Sequence, residues 1–243
     1  MGTISLKDRR SGINYIAFFD LDGTIIDANS GKELILYAYK KGFISWLDIV
    51  RGIYLSMLYR FKVKDTVKII HSMAGWLKGV SQSGLITLSE EIFRDRLMKS
   101  IRPEVVEKIM FHKNNGGMVV ILSSALMPVC KEIADHLEMD DVICSELETR
   151  NGIFTGNPEG SLCFGKEKVA RLTEFCNKNN INPCHSWYYG DSIADLPVLC
   201  SVGNPVCVNP DKKLFKVAKE RGWLVLSKIN SPPVSAIQEV QEI

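Results

Sequence analysis

The 243-residue chain is expected to adopt an α/β fold: a largely parallel sheet with helices on both faces and an all-helical block inserted after the first strand. Three observations predict it. Tyr15 to Phe19 is a short apolar run suited to a buried strand. The next 70 or so residues carry only helical periodicity. From Arg102 onward, apolar runs alternate with helical patterns, the rhythm of βα units.

Within the helical block, Gly31 to Lys41 groups Leu34, Ile35, Tyr37 and Ala38 on one side, with Gly42 placed to end the helix. Phe43 to Phe61 is the most membrane-like segment, but Asp48, Arg51 and Arg60 interrupt it, so it reads as an amphipathic helix carrying Phe43, Trp46, Ile49 and Tyr54. Val63 to Lys78 and Leu85 to Lys99 repeat apolar residues near helical period, with Ser89 as an internal start signal.

In the second part, Pro103 suits a helix start, and the helix to Asn114 is stopped by Gly116-Gly117. Met118 to Leu122 reads as a strand ending at Ser123-Ser124, followed by a helix from Met127 to Glu138 and a strand beginning at Val142-Ile143. Asn151-Gly152 between two short runs predicts a hairpin. The pattern continues with a helix from Lys166 to Asn177, strands at Trp187 to Tyr189 and Asn204 to Val208, a helix from Asp211 to Arg221 and a strand at Trp223 to Leu226. The segment around Pro232-Pro233 reads as a loose tail.

Composition excludes several classes of partner. With 46% hydrophobic and 24% charged residues the chain is of ordinary globular type. Its net charge of +2 is spread along the chain, without the basic stripe expected of a nucleic-acid binder. No run predicts stable membrane insertion, and none predicts a secretory leader. Seven cysteines form no zinc-like spacing, so they are expected as reduced thiols in a cytoplasmic protein. Oligomeric state is not legible.

The functional signal begins where the first strand ends, at Asp20, Asp22, Gly23 and Thr24. Taken alone, Asp22-Gly23 is also a hairpin turn. Paired acids, however, repel at close range and call for a cation or a shared proton. Parallel sheets bind ligands at the carboxyl ends of their strands. Asp20 and Asp22 follow the first strand, Ser123 a second and Asp191 a later one, so all four are expected at one edge, with Asp195 and Lys168 within reach.

The segments DLDGT at Asp20 to Thr24, VVILSSA around Ser123, GKEKVARL around Lys168 and GDSIADLPVL from Gly190 resemble, in order, the motifs of the haloacid dehalogenase superfamily. Within it the chain resembles the phosphoserine-phosphatase-like branch with a helical cap. The resemblance implies a Rossmann-like core of residues 1–27 and 101–243 with a cap of residues 28–100. It also implies a Mg²⁺-dependent phosphomonoesterase acting on a small phosphate ester through an aspartyl-phosphate intermediate. Asp20 is then the nucleophile and Asp22 the general acid and base. The Asp20 side chain, the Asp22 carbonyl and Asp191 are implied as metal ligands. Ser123 and Lys168 would hold the phosphate, Thr24 and Gly23 would shape the turn and donate backbone contacts, and Asp195 would orient water or Lys168.

Register leaves Ser124 open as an alternative to Ser123, and Lys166 as one to Lys168. The cap is expected to open and close about hinges near Asp27 to Ser30 and Ser100 to Pro103. True phosphoserine phosphatases carry a glutamate shortly after the first motif, where this chain has Asp27-Ala28-Asn29-Ser30. Asp27 is the candidate substitute. A dedicated phosphoserine phosphatase, a phosphotransferase on the same fold and a catalytically idle binding protein are the alternative readings. His71, His112, His136 and His185, and the cap cations Arg51, Arg60, Lys62 and Lys64, are expected to be structural or exposed.

Overall fold

The computed structural model describes residues 13–47, 50 and 75–227. Six parallel strands form the main sheet: β1 (Ile16–Phe19), β2 (Met118–Leu126), β3 (Asp141–Ser145), β6 (Trp187–Gly190), β7 (Asn204–Val208) and β8 (Leu224–Leu226). Their spatial order is β3-β2-β1-β6-β7-β8, so the chain winds outward in one direction to β3 and in the other from β6. The strand order therefore reverses between β1 and β6, the place where open parallel sheets form a crevice.

β1 is central because both its faces are apolar. Ala17 and Phe19 pack into one core cluster, Ile16 and Phe18 into the other, and all four are fully buried. A hairpin at Asp22-Gly23 does not form, because β1 pairs in parallel with β2 and β6. The hairpin that does form joins β4 (Leu147–Arg150) and β5 (Ile153–Pro158), with Asn151 and Gly152 both at positive φ.

Four helices pack on the core in chain order after the cap: α3 (Pro103–Asn114), α4 (Met127–His136), α5 (Lys166–Lys178) and α7 (Lys212–Arg221), with the short α6 (Leu196–Leu199) after β6. Two departures from the expected bounds have a local cause. β2 runs on to Leu126, past a register irregularity after Leu122, because the backbone stays extended through Ser123-Ser124. Asp211 lies outside α7 and caps it, accepting from the Lys213 and Leu214 amides.

In the described part of the inserted block, α1 (Ser30–Lys40) is capped by Asn29, which accepts from the Lys32 amide. A second helix, α2 (Gln82–Ile92), is capped by Ser81 and continues through a π turn to Leu97. Ser89 is therefore no helix start. It lies inside α2, and its hydroxyl donates to the Leu85 carbonyl, a bond available only within a helix. The predicted helix from Val63 lies outside the described residues except at its end, where Gly75–Leu77 form a 3₁₀ turn. Ile49 and Tyr54, the four cap cations, His71 and the tail also lie outside them.

Among the described residues, backbone hydrogen bonds join block and core at the two chain crossings and at the β4–β5 hairpin. Asp27 N–H donates to the Ser100 carbonyl and Arg102 N–H to the Ile25 carbonyl, tying the two crossings together. The β4–β5 hairpin is bonded to the block by Gly79 N–H to Phe154 O, Phe154 N–H to Val80 O and Gln82 N–H to Gly152 O.

Candidate active site

Asp20 emerges from β1 next to the reversal point and is almost fully buried. Its Oδ1 accepts from the Leu21 amide at 2.7 Å, and its Oδ2 lies 3.0 Å from Lys168 Nζ. Ser123 is buried at 1% exposure near Asp20, whose proton affinity it helps to lower, whereas Ser124 is exposed. The geometry thus separates two serines that register alone could not. Lys168 and Lys166 separate in the same way, since Lys168 is buried on Asp20 while Lys166 points outward from the first turn of α5.

Lys168 also pairs with Asp195 Oδ1 at 2.9 Å. The same oxygen accepts from the Tyr188 hydroxyl at 2.7 Å, and Oδ2 accepts from the Ser192 amide and hydroxyl at 3.4 and 3.3 Å. Asp195 therefore turns back over the start of its own short helix as the partner of a capping box. Tyr188 and Ser192 were not picked out from sequence. Ser192, three residues ahead of Asp195, carried a local capping signal, whereas the contact of Tyr188 is created only by folding.

Gly23 has φ +74°, and a Cβ placed there would collide with the Asp191 carboxylate. The turn after β1 thus needs glycine both for its conformation and for the close approach of Asp191. The Gly23 and Thr24 amides donate to the Ala28 and Leu21 carbonyls within the turn. Asp22 Oδ1 accepts from the Ser30 amide at 2.9 Å. The first residue of α1 therefore aims the second acid.

Electrostatically the site carries more carboxylate than its lysine can balance. Burial raises Asp20 to about 6; Lys168 opposes that shift and Asp195 adds to it. Burial, then the charges of Asp20 and Asp195, raise Asp191 to about 7. Asp22 is raised by burial against its bonds to Ser30. For Lys168, burial works against the charge, but Asp20 and Asp195 outweigh it and raise the lysine above its ordinary value. Asp20, Asp191 and Asp195 each present an oxygen within 4.8 Å of the others. One ammonium faces three acids, and the donors are all hard oxygens, a set that fits a divalent cation such as Mg²⁺. Asp195 carries four donors, Lys168 and Tyr188 on Oδ1 and the Ser192 amide and hydroxyl on Oδ2, more than Asp20 does, so Asp20 and Asp191 are the side chains better suited to hold it.

Beside Asp22 opens a cavity of about 400 Å³ between block and core. The block supplies Leu34, Ile35, Trp76 and Leu77, and the core supplies Leu126, Val129, Leu147 and Phe164. Asp27 is not among its lining residues; its carboxylate pairs with Arg102 at 2.6 Å.

A parallel sheet with buried acids, a lysine and a serine at its carboxyl edge beside the reversal point is the architecture of a Rossmann-like α/β enzyme. The family model of haloacid dehalogenase-like hydrolases matches residues 17–199, and the chain belongs to that family. The phosphoserine phosphatase SerB1 of Mycobacterium tuberculosis is 25% identical over 223 residues, covering 89% of this chain and 72% of that protein. The histidinol-phosphatase of Neisseria meningitidis serogroup C is 29% identical over 222 residues, covering 87% and 98%. A crystal structure of a Bordetella pertussis protein of unknown function superposes with a TM-score of 0.81 at 26% identity, covering 88% of this chain and 98% of that one. Among the described residues, no helix is long and apolar enough to cross a membrane.

Proposed function

We propose that this haloacid dehalogenase-like phosphatase hydrolyses small phosphate monoesters with Mg²⁺, through a phosphoryl group carried on Asp20. The observation that supports this most is the pairing of Asp20 with Lys168 beside Asp191, while Asp22 alone of these acids faces the cavity. A carboxylate held by the Leu21 amide and the lysine is fixed in place as a nucleophile. Its oxygen attacks phosphorus as the bond to the ester oxygen breaks. Asp22, whose raised affinity for a proton follows from its burial, gives that proton to the departing alkoxide. It then takes a proton from the water that attacks the aspartyl-phosphate, so alcohol and inorganic phosphate leave and both acids return to their starting state. Ser123 and Lys168 receive the phosphate oxygens, the lysine as a point charge. A Mg²⁺ held by the Asp20 side chain, the Asp22 carbonyl and Asp191 would supply charge neutralisation for the dianion.

The test is phosphate release from p-nitrophenyl phosphate with Mg²⁺, expected to vanish with EDTA and in Asp20→Asn. Metal-independent turnover, or full activity in that variant, overturns the proposal.

A further inference from the structure

Resting on the hydrolase reading above, we infer that the substrate's leaving group is an uncharged, largely apolar alcohol, so that the preferred ester is an aryl or alkyl phosphate and not an amino-acid phosphate. The cavity lies on the leaving-group side of the site: Asp22 lines it, whereas Asp20, Ser123, Lys168 and Asp191 do not. Its volume of about 400 Å³ suits a small organic group, falling within the range of about 300–1,000 Å³ common to such sites.

The walls decide the chemistry. Trp76 and Leu77 from the block face Leu126, Val129 and Phe164 from the core, so an apolar group entering between them leaves water on both sides. Among the described lining residues Asp22 is the one charged group, and its role lies at the ester oxygen. No described lysine or arginine lines the cavity to meet a carboxylate. The acid that could have met an ammonium, Asp27, is paired with Arg102 outside it. Two polar oxygens of the lining are committed, Asn29 Oδ1 to the Lys32 amide and Ser145 Oγ to the Cys163 amide, and the neutral Asn29 amide nitrogen can hydrogen-bond but cannot balance a charge. The exposed Ser124 hydroxyl remains at the cavity for one hydrogen bond. An amino-acid head group would shed water from two charges and, among the described walls, meet no counter-charge beyond Asp22, whereas a phenyl or alkyl group fills them without that loss.

The experiment compares esters of similar intrinsic reactivity, so that leaving-group chemistry does not mimic recognition. With Mg²⁺ and the full chain, kcat/KM is measured for 2-phenylethyl phosphate, methyl phosphate and phosphoserine. The phenylethyl ester is expected to exceed phosphoserine by about 100-fold or more, the scale set by apolar-pocket discrimination and by unpaired polar groups. Trp76→Ala is expected to cost the phenylethyl ester at least about tenfold more than methyl phosphate, a split that general damage to the fold would not produce. Phosphoserine turned over as well as, or better than, the phenylethyl ester overturns the inference and leaves the hydrolase reading intact. Calorimetric titration of Asp20→Asn with the same two esters decides the preference independently of turnover. Tighter binding of the phenylethyl ester sustains the inference, and equal or weaker binding overturns it. Absence of turnover for every ester counts against the hydrolase reading, not against a preference established by titration.

Discussion

Lys168 Nζ sits 3.0 Å from Asp20 Oδ2 and 2.9 Å from Asp195 Oδ1, so a single buried ammonium is shared between the proposed nucleophile and the acid that positions it. The sharing keeps Lys168 charged despite burial, and the Tyr188 hydroxyl holds Asp195 in place at 2.7 Å. Lys168→Met should lower kcat by at least about 100-fold, the usual loss when one positioned charge on the reacting group is removed. Lys168→Arg should recover little, because a planar guanidinium cannot occupy the same point between two carboxylates. Steady-state phosphate release, with circular dichroism to confirm folding, checks both. Activity in Lys168→Met within a few-fold of the parent would show that the lysine is only structural.

The turn after β1 yields a second prediction. Gly23→Ala combines a positive φ with a methyl group driven into the Asp191 carboxylate. It should shift Asp191 from its place beside Asp20 and weaken Mg²⁺ activation by at least about tenfold, the scale on which disturbed ligand support costs metal affinity. The Mg²⁺ concentration giving half-maximal activity is the measurement. An unchanged value would mean that Asp191 takes no part in holding the ion.

Much of this site was legible because its residues sit at strand ends, where burial pattern and chemistry change abruptly within two or three positions. Asp20, Asp22 and Asp191 could be placed at one edge from alternation alone, since parallel strands share their carboxyl ends. From sequence Ser123 is preferred over Ser124, and Lys168 over Lys166 on motif spacing, but burial had to come from the fold, because a step of one or two residues changes which side of a strand or helix faces inward. Asp22-Gly23 could not decide by itself between a hairpin and a site turn, because local turn preference is the same whether the next strand pairs alongside or the chain departs into an inserted block. The pairing of Asp27, the candidate substitute for the glutamate, was not legible for a different reason. Its partner, Arg102, lies 75 residues away at the other crossing, and no local pattern links the two.

That crossing predicts a stability effect. The Arg102 side chain is buried and bonds Asp27 Oδ1 at 2.6 Å, with Glu104 Oε1 at 3.7 Å. Asp27 is half exposed, so solvent weakens the pair, but removing the arginine also strips Glu104 of its nearest cation. Arg102→Ala should destabilise the protein by about 1–3 kcal/mol. If the two crossings act as the cap hinges, the variant should also change kcat and KM together. Denaturant melts and kinetics on the same preparations check this. A variant as stable as the parent would remove the clamp from the account.

The last prediction concerns pH and lies away from the acids. His112 on α3 is fully buried, with Nδ1 3.1 Å from the Tyr15 hydroxyl and Nε2 2.9 Å from the Tyr189 hydroxyl. Burial first, and then the charge of Lys108, lower its pKa from 6.5 to about 3. The folded protein therefore keeps the imidazole neutral, while the unfolded chain binds a proton once the pH falls below about 6.5. Between about pH 6.5 and 3 the unfolded state holds more protons, so the contribution of His112 is complete above 6.5 and is lost progressively as the pH falls through this window. The slope from this one group is at most about 1.4 kcal/mol per pH unit. Other carboxylates titrate nearby, so the informative quantity is a difference. Unfolding free energies of the parent and His112→Gln, measured in denaturant from pH 7 to 5, should converge as the pH drops, because glutamine removes the titration while keeping polar contacts for the two tyrosines. Parallel curves over that range would show that His112 does not carry the acid sensitivity.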